Sequence, residues 1–457
     1  MRTQSPCSAA VASHATAYRL CGLRRGGVGA EVRQLTRRLW LAGVATVVAV
    51  ASLAAASAPS GAGSTTREIH IGALLSLTGD GATLGTTSKA ALEIAARRWN
   101  ATPEGKRVKV LLDIENTNLE PDQAQAALTR LADKDVRIVI GPQSSAEVAA
   151  ISDQAGARGV IVASQGSTAS SLGILDDNVF RFVPTDRVEG RASVDLMLKD
   201  GASTIIPIWR NDRGNNGLAD SVRAAATMSG ATVTDGVRYE PDTTDFGPVL
   251  EQLNAQVQAA TGSAGATKVA VYLAGFEEVA QVFDAARTVT GLDGVRWYGG
   301  DGSAQSKALV AAGPATFATS GKVNGYPSPL VALPPAAAKR DAKLINEISK
   351  RAKNDADAFT LAAYDAFNVA ARTLAETDAD ADASTLRAAF ASNAEGYKGV
   401  TGTIQLDAAG DRVSTPYAFW SLCKREKSTR WTQTATWSPA SDPTTPGRVS
   451  PKSCPKR

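Results

Sequence analysis

The chain has 457 residues, of which 44% are hydrophobic and 21% charged, a composition typical of a soluble protein with more than one hydrophobic core. Its net charge is +4, but residues 1–40 hold seven arginines against one acid and contribute +6, so the remainder carries −2. The body of the chain therefore lacks the basic surface that a nucleic-acid partner requires, and we expect no nucleic-acid function.

The N-terminal segment has the parts of an export signal. Arg37 and Arg38 precede an apolar run over 39–56, and small residues follow this run. We therefore expect residues 1–66 to be a leader that directs the protein out of the cytoplasm. Because the apolar run is about 18 residues long, near the lower limit for a membrane span, an uncleaved membrane anchor stays open as the alternative.

Apolar strands and helices alternate in the first part of the body. The predicted strands are 69–75, 108–113, 136–140 and 160–163, and the predicted helices include one after the turn 76–87, then 121–132 and 146–157. Strands separated by helices of this length indicate a parallel sheet that is covered on both faces. The turn that holds Thr78 and Gly79 follows the first strand, where such sheets bind ligands.

The alternating pattern pauses at 180–186 and then begins again. The second series consists of helices at 190–199, 218–228, 246–259 and 276–289 and strands at 204–208, 232–239, 268–273 and 295–299. Two such units with one break between them predict a cleft and a hinge. After a further break at 323–329 we expect helices at 336–353, 359–376 and 384–391, and strands near 402–406 and 417–422.

Cys423 and Cys454 are the two cysteines that follow the leader. An even pair in an exported chain predicts a disulfide, which would tie a Pro/Ser/Thr-rich tail, 423–457, to the body. Two unrelated thiols are the alternative.

Ten short motifs occur in a characteristic order. They are IGALLSLTG, VRIVIGPQSS, VIVASQGSTASSL, VFRFVPTD, WRNDRGNNG, YEPDTTDF, YLAGFEE, YGGDG, LAAYDAFNVAARTL and YKGVTGTIQLDAAGDR. The ordered set resembles the type I periplasmic binding proteins, and within them the branched-chain amino acid and amide binding proteins of ABC transporters. The resemblance extends over about residues 68–420, and its specificity comes from the order rather than from any single motif.

The resemblance implies an α/β fold of two Rossmann-like lobes joined by a three-crossing hinge. Lobe 1 would comprise 68–184 and 329–397, and lobe 2 would comprise 187–326 and 400–422. It also implies a monomer that captures a small polar ligand, an amino acid or an amide, and delivers it to an ABC transporter permease. Membrane contact would then occur only through the leader or the permease.

The motif GPQSS places Ser144 and Ser145 at the start of a predicted helix. Unpaired N–H groups and the positive end of the helix dipole suit a ligand carboxylate there, although either serine could simply be an N-cap. The resemblance adds Thr168, with Ser167 as second choice, on the loop after the next strand.

The second unit supplies the expected partner of an ammonium group. By resemblance, Asp301 in YGGDG matches the acidic position that faces the ligand, with Glu277 as the alternative acid. Relatives commonly place an aromatic ring where this chain has Gly214, so Trp209 or Phe276 would have to supply the ring.

An enzyme is the competing class, and the residues speak against it. His70 is the one histidine that remains after the leader, which makes a Ser-His-Asp triad or a multi-histidine metal site hard to assemble. No glycine-rich phosphate-binding motif follows a strand. We expect no catalysis, no cofactor and no metal, and we keep a ligand-sensing receptor module tethered to the membrane as the alternative function.

Overall fold

The computed structural model describes residues 66–413, 415–425, 428–442 and 445–454. The expected export signal and its alternative, a membrane anchor, lie outside these residues. Across the described part of the chain, no helix combines the length and the apolar character that a membrane crossing needs.

The first sheet is parallel and built from the N-terminal part of the body. Its strands are β1 (Arg67–Leu75), β2 (Val108–Asn116), β3 (Ile138–Ile140), β4 (Ile161–Ser164) and β5 (Val179–Arg181), hydrogen-bonded in the order β2-β1-β3-β4-β5. The helices of this region are α1 (Ala82–Asn100), α2 (Pro103–Arg107), α3 (Pro121–Ala132) and α4 (Ser145–Arg158). Every residue of β3 and β4 is buried, as expected for strands covered on both faces.

The second sheet is also parallel, with the order β10-β9-β6-β7 and with β8 beside β6. Its strands are β6 (Thr204–Arg210), β7 (Thr232–Val233), β8 (Val237–Tyr239), β9 (Val269–Ala274) and β10 (Arg296–Gly299). Its helices are α5 (Asp186–Lys199), α6 (Arg213–Met228), α7 (Gly247–Ala264), α8 (Val279–Ala286) and α9 (Ala312–Ala318). The two parallel sheets confirm the expected α/β class with two Rossmann-like units.

One expected strand is interrupted. The segment 232–239, predicted as a single strand, forms β7 and β8 with a turn between them. Gly236 in that turn has φ +71°, a conformation that a strand does not use. Its amide donates a 3.1 Å hydrogen bond to the Gln256 side chain rather than to a neighbouring strand.

The C-terminal part forms helices and a third sheet. The elements are β11 (Ser328–Val331), α10 (Pro335–Arg340), α11 (Ala342–Ala352), α12 (Ala358–Glu376), α13 (Ala383–Ala394), β12 (Lys398–Gly399), β13 (Gly402–Thr403), β14 (Tyr417–Arg425), β15 (Ser428–Ser438) and β16 (Arg448–Pro451). The third sheet is antiparallel with the order β11-β14-β15-β16. The expected helix 336–353 is two helices, which meet at Asp341.

The segment expected as a tail is part of this sheet. β15 buries Ala435 and Trp437, and the Trp437 indole donates a 2.8 Å hydrogen bond to Asp195 on α5. Burial of apolar side chains against α5 explains why this Ser- and Thr-rich segment forms strands. The expected disulfide between Cys423 and Cys454 is present, with the two Cα atoms 5.7 Å apart.

We call the first sheet with α1–α4 and α11–α13 the first lobe, and the second and third sheets with α5–α9 the second lobe. The chain passes between the lobes after β5, again between β11 and α11, and finally between α13 and β14. The carboxyl ends of both parallel sheets point toward the space between the lobes, which is where ligands meet sheets of this kind.

Candidate functional site

A small cavity lies between the two lobes. Its volume is about 30 Å³, comparable to the share of one water molecule in the liquid. The first lobe contributes Leu84, Gln143, Ser144, Ser145, Gly166, Thr168 and Phe359 to its wall. The second lobe contributes Gly214, Asn215, Leu218, Phe276, Asp301 and Gly302. Residues of both lobes therefore border one narrow space.

Ser144 is the N-cap of α4 in the first wall. Its Oγ accepts a 3.2 Å hydrogen bond from the Glu147 amide and donates a 2.7 Å bond to the Glu147 carboxylate. Burial raises the pKa of Glu147, and the hydrogen bonds from its neighbours oppose that rise. The Ser144 side chain therefore acts as the N-cap of α4, which the sequence analysis kept as the alternative to ligand binding.

The Ser145 hydroxyl holds the neighbouring loop in place. It accepts hydrogen bonds from the Thr168 amide at 3.2 Å, the Ala169 amide at 3.1 Å and the Ser167 hydroxyl at 3.1 Å. The first-turn amide of Ser145 itself has no acceptor among the described residues, as is usual at a helix start. That amide end of α4, more than the hydroxyls, is what the first wall offers an anion.

Of the ten residues predicted to bind ligand, five line this cavity: Ser144, Ser145, Thr168, Phe276 and Asp301. Phe276, rather than Trp209, places a ring there. The indole of Trp209 instead donates a 2.8 Å hydrogen bond to Asn216, away from the cavity.

The structure places Thr78, Gly79, Ser167 and Glu277 outside the cavity wall. Thr78 is exposed and donates a 2.8 Å hydrogen bond to Asn118 within its own lobe. Ser167 is fully buried behind the wall, where it supports Ser145.

Contacts between the lobes close the cleft at its rim. The Asp80 carboxylate, from the turn after β1, lies 2.8 Å from the Arg210 guanidinium at the end of β6. The Glu277 amide donates a 3.3 Å hydrogen bond to the Asp80 carbonyl, and the Thr83 hydroxyl donates to the Glu277 carboxylate. Glu277 thus takes part in closure, a role that the sequence analysis did not assign to it.

Arg210 is surrounded by acids. Besides Asp80, its guanidinium lies 3.3 Å from the Asp212 carboxylate and 3.5 Å from that of Glu278, and its side chain is 9% exposed. Three carboxylates facing one buried cation leave an excess of negative charge at this rim. The Phe276 ring also faces the guanidinium, with 5.6 Å from its centroid to Cζ.

The second wall contains three neighbouring carboxyl groups. Asp186 and Glu189 on α5 are fully buried, and the Asp301 amide donates a 3.0 Å hydrogen bond to Glu189. Burial raises the pKa of Asp186 to about 7. Burial and the proximity of the three charges raise the pKa of Glu189 well above its ordinary value, and burial raises that of Asp301 as well. The sequence analysis identified only Asp301 of these three.

Several lining residues were missed by the sequence analysis. Gln143 was quoted within GPQSS without a role, yet it is 5% exposed and neither of its amide atoms has a hydrogen-bond partner in the described chain. Leu84 and Phe359 each lie in the first turn of a long helix, α1 and α12. Position at a helix start was the available signal, and it is a weak one for apolar residues.

The arrangement can hold a small molecule by two polar ends and an apolar middle. The α4 amides and Gln143 provide donors on one side, and Asp301 provides an acceptor on the other. Leu84, Phe276 and Phe359 line the space between them. No cluster of three or more His, Cys, Asp or Glu side chains suited to a metal ion occurs in the described part of the chain.

Comparison with known proteins identifies the family of this fold. The family model for periplasmic binding proteins matches residues 68–426. An uncharacterized protein of Methanocaldococcus jannaschii is 29% identical over 379 residues, covering 79% of this chain and 88% of the relative. The Leu/Ile/Val-binding protein BraC3 of Rhizobium johnstonii is 26% identical over 364 residues, covering 77% and 91%.

Among solved structures, the leucine binding protein LivK of Thermotoga maritima has a similar fold. Its TM-score is 0.65 at 21% identity, with 80% of this chain and 97% of that chain covered. At this identity the likeness concerns the fold alone.

Proposed function

The chain belongs to the periplasmic binding protein family, and we propose that it is an extracytoplasmic solute-binding protein for an amino acid or amide that serves an ABC importer. Membership of this family implies a location outside the cytoplasm. The observation that carries the proposal is that Asp301 of the second lobe and Ser144, Ser145 and Thr168 of the first lobe border one cavity.

In this proposal the ligand carboxylate meets the amide end of α4, and its ammonium group meets Asp301. A helix N-terminus favours an anion and a buried carboxylate favours a cation, so a molecule with both charges binds both lobes at once. Because that molecule has higher affinity for the closed arrangement than for the open one, it shifts the lobes toward closure. The contact between Asp80 and Arg210 then adds to closure without touching the ligand.

Binding rather than catalysis is the proposed activity, since this family is one of binding proteins. Two similar proteins, a Leu/Ile/Val-binding protein and a leucine binding protein, make branched-chain amino acids the first probes. The alternative, a sensor tethered by its leader, would use the same cleft. Sequencing of the mature N-terminus distinguishes them, because a tethered sensor retains residues 39–56.

The test is identification of a retained or added ligand. Native mass spectrometry of the purified protein detects a small molecule that survives purification, and calorimetric titration with leucine, isoleucine, arginine and small amides measures the affinity of each. Binding of one of these with a Kd in the micromolar range or tighter supports the proposal. Failure of every amino acid and amide to bind overturns it.

A further inference from the structure

Two buried carboxyl groups stand behind Asp301, and the proposed function does not use them. No hydrogen bond of good geometry reaches either carboxylate oxygen of Asp186 or one of the two of Glu189 among the described residues, although both side chains have no exposed surface. The Thr168 hydroxyl lies close enough to Asp186 to lower its pKa. The remaining Glu189 oxygen accepts the Asp301 amide at 3.0 Å, and the Asp301 carboxyl group lies close enough to share a hydrogen bond with the Glu189 carboxyl group. We call Asp186, Glu189 and Asp301 the acid cluster.

Buried carboxyl groups of this kind ordinarily have a cation beside them, and the acid cluster has none in the described structure. The charge of Arg181 lowers the pKa of Asp186, but the Arg181 guanidinium is committed to Asp411 and to the Ala169 carbonyl. Arg210 is engaged by three acids at the rim. The remaining groups that face the cluster, Tyr272 from β9, Tyr417 from β14 and Asp212, carry no positive charge.

A second observation connects the acid cluster with the ligand space. The Tyr272 hydroxyl is fully buried and has no partner within the described residues, and a β-carbon on Gly300, which precedes Asp301, would lie 3.3 Å from it. Across the cavity, both amide atoms of Gln143 are likewise without partners. Asp301 of the acid cluster and Gln143 therefore border the cavity, while Asp186, Glu189 and Tyr272 are buried outside its wall.

Building on the proposed function, we propose that the ligand is a net cation, with an amino, amidino or guanidino group in addition to the ammonium that Asp301 alone would serve. Asp301 presents its carboxylate to such a group, and the buried carboxyl groups of Glu189 and Asp186 add negative charge next to it. A neutral zwitterion such as leucine offers one positive group to three acids, which leaves Asp186 and Glu189 either protonated or unpaired. A basic amino acid, or a decarboxylated relative such as agmatine, offers two.

The test compares probes that differ in charge. The purified protein is titrated calorimetrically at pH 8 with L-arginine, agmatine, L-leucine and L-isoleucine. We expect arginine or agmatine to bind at least about 10-fold more tightly than either aliphatic amino acid, because a second buried charge pair forms. The variants Glu189→Gln and Asp186→Asn should reduce the ratio of arginine affinity to leucine affinity to about 3-fold or less.

Asp195→Asn is the matched control. Asp195 is a buried acid on the same helix α5, but it bonds Trp437 and the Gly447 amide rather than facing the cavity. Circular dichroism checks that each variant is folded, and the control should keep the full preference for arginine.

The experiment separates failure of the net-cation inference from failure of the proposed function. Leucine or isoleucine binding as tightly as arginine, or a preference that survives in both cluster variants, overturns the net-cation inference and leaves an amino-acid-binding protein. Absence of binding by all four probes and by the amides overturns the proposed function, and the inference with it.

Discussion

The two walls of the cleft are stabilised in opposite ways. In the first lobe the wall is neutral, and its hydroxyls are satisfied internally, as Ser145 is by the loop at Thr168. In the second lobe Asp301 makes the wall charged, and the buried carboxyl groups of Asp186 and Glu189 next to it form no ion pair with any described residue. The hydroxyls of the first wall thus have their hydrogen bonds before a ligand binds. The buried acids of the second wall are stabilised only when a proton or a cation neutralises their charge. Substitutions on the second wall should therefore affect affinity and pH response, and those on the first wall should affect stability.

The largest effect is expected from Asp301→Asn. The variant keeps the size of the side chain but removes the charge that meets the ligand ammonium, and this should cost about 2 to 5 kcal/mol of binding free energy. Calorimetry with whichever of arginine and leucine binds the wild type more tightly measures it. Urea unfolding of the free variant serves as the control. It should show no loss of stability, because Asp301 borders the cavity and forms no ion pair with any described residue. Unchanged affinity would place the ligand elsewhere.

Asp186 should make the stability of the free protein depend on pH. Its folded pKa of about 7 lies above its ordinary value of 3.8, so the folded state holds the proton more tightly than the unfolded state does. This contribution to the stability of the free protein is fully present below pH 3.8 and is lost as the pH rises to about 7.

The variant Asp186→Asn should remove that loss. Relative to wild type, it should gain about 2 kcal/mol of unfolding free energy between pH 4 and pH 8, roughly half of what the full shift allows because the neighbouring acids titrate together. Urea unfolding of both proteins across this range measures the difference. Parallel pH profiles for the two proteins would mean that Asp186 is not the group responsible.

Ser145→Ala should weaken the first wall without changing its charge. The variant leaves the Thr168 and Ala169 amides without their acceptor, and we expect a loss of about 1.5 kcal/mol in unfolding free energy. The loss should be the same at pH 5 and pH 8, since no titrating group is involved. A marked pH dependence would indicate that the two walls are not as distinct as the contacts suggest.

The smallest effect is expected at the rim, where the two walls meet. Asp80→Asn weakens the one ion pair that joins the lobes among the described residues, and since Asp80 is partly exposed, the cost of opening should fall by about 0.5 to 1 kcal/mol. Small-angle scattering of the free protein should then show a larger radius of gyration.

The control for the rim is Asp220→Asn, which removes an exposed acid that pairs with Arg223 inside the second lobe. It should leave the radius of gyration unchanged. Equal expansion in both variants would assign the effect to net charge rather than to the contact between the lobes.

The same contrast shows how far the sequence could be used to predict the site. The helix start at Ser144 and the acid at Asp301 were predicted, because a motif beyond a strand marks the edge of the sheet where ligands bind. Glu189 was not predicted as part of the site, since it lies 112 residues from Asp301 and only the packing of α5 against β10 and the loop after it brings the two together. The sequence left Trp209 and Phe276 open as the source of the ring, because position in the sequence does not reveal the direction in which a side chain points at the edge of the sheet.

By itself the sequence determined the two doubly wound units, including the bounds of α3 at Pro121–Ala132, because buried parallel strands and amphipathic helices have local periodicities that need no knowledge of distant partners. Only the tertiary structure decided that the C-terminal segment forms strands that pack against α5. It also decided that Asp186, Glu189 and Asp301 form one buried cluster. The physical reason is that pairing of a strand and desolvation of a charge depend on neighbours that are distant in the chain.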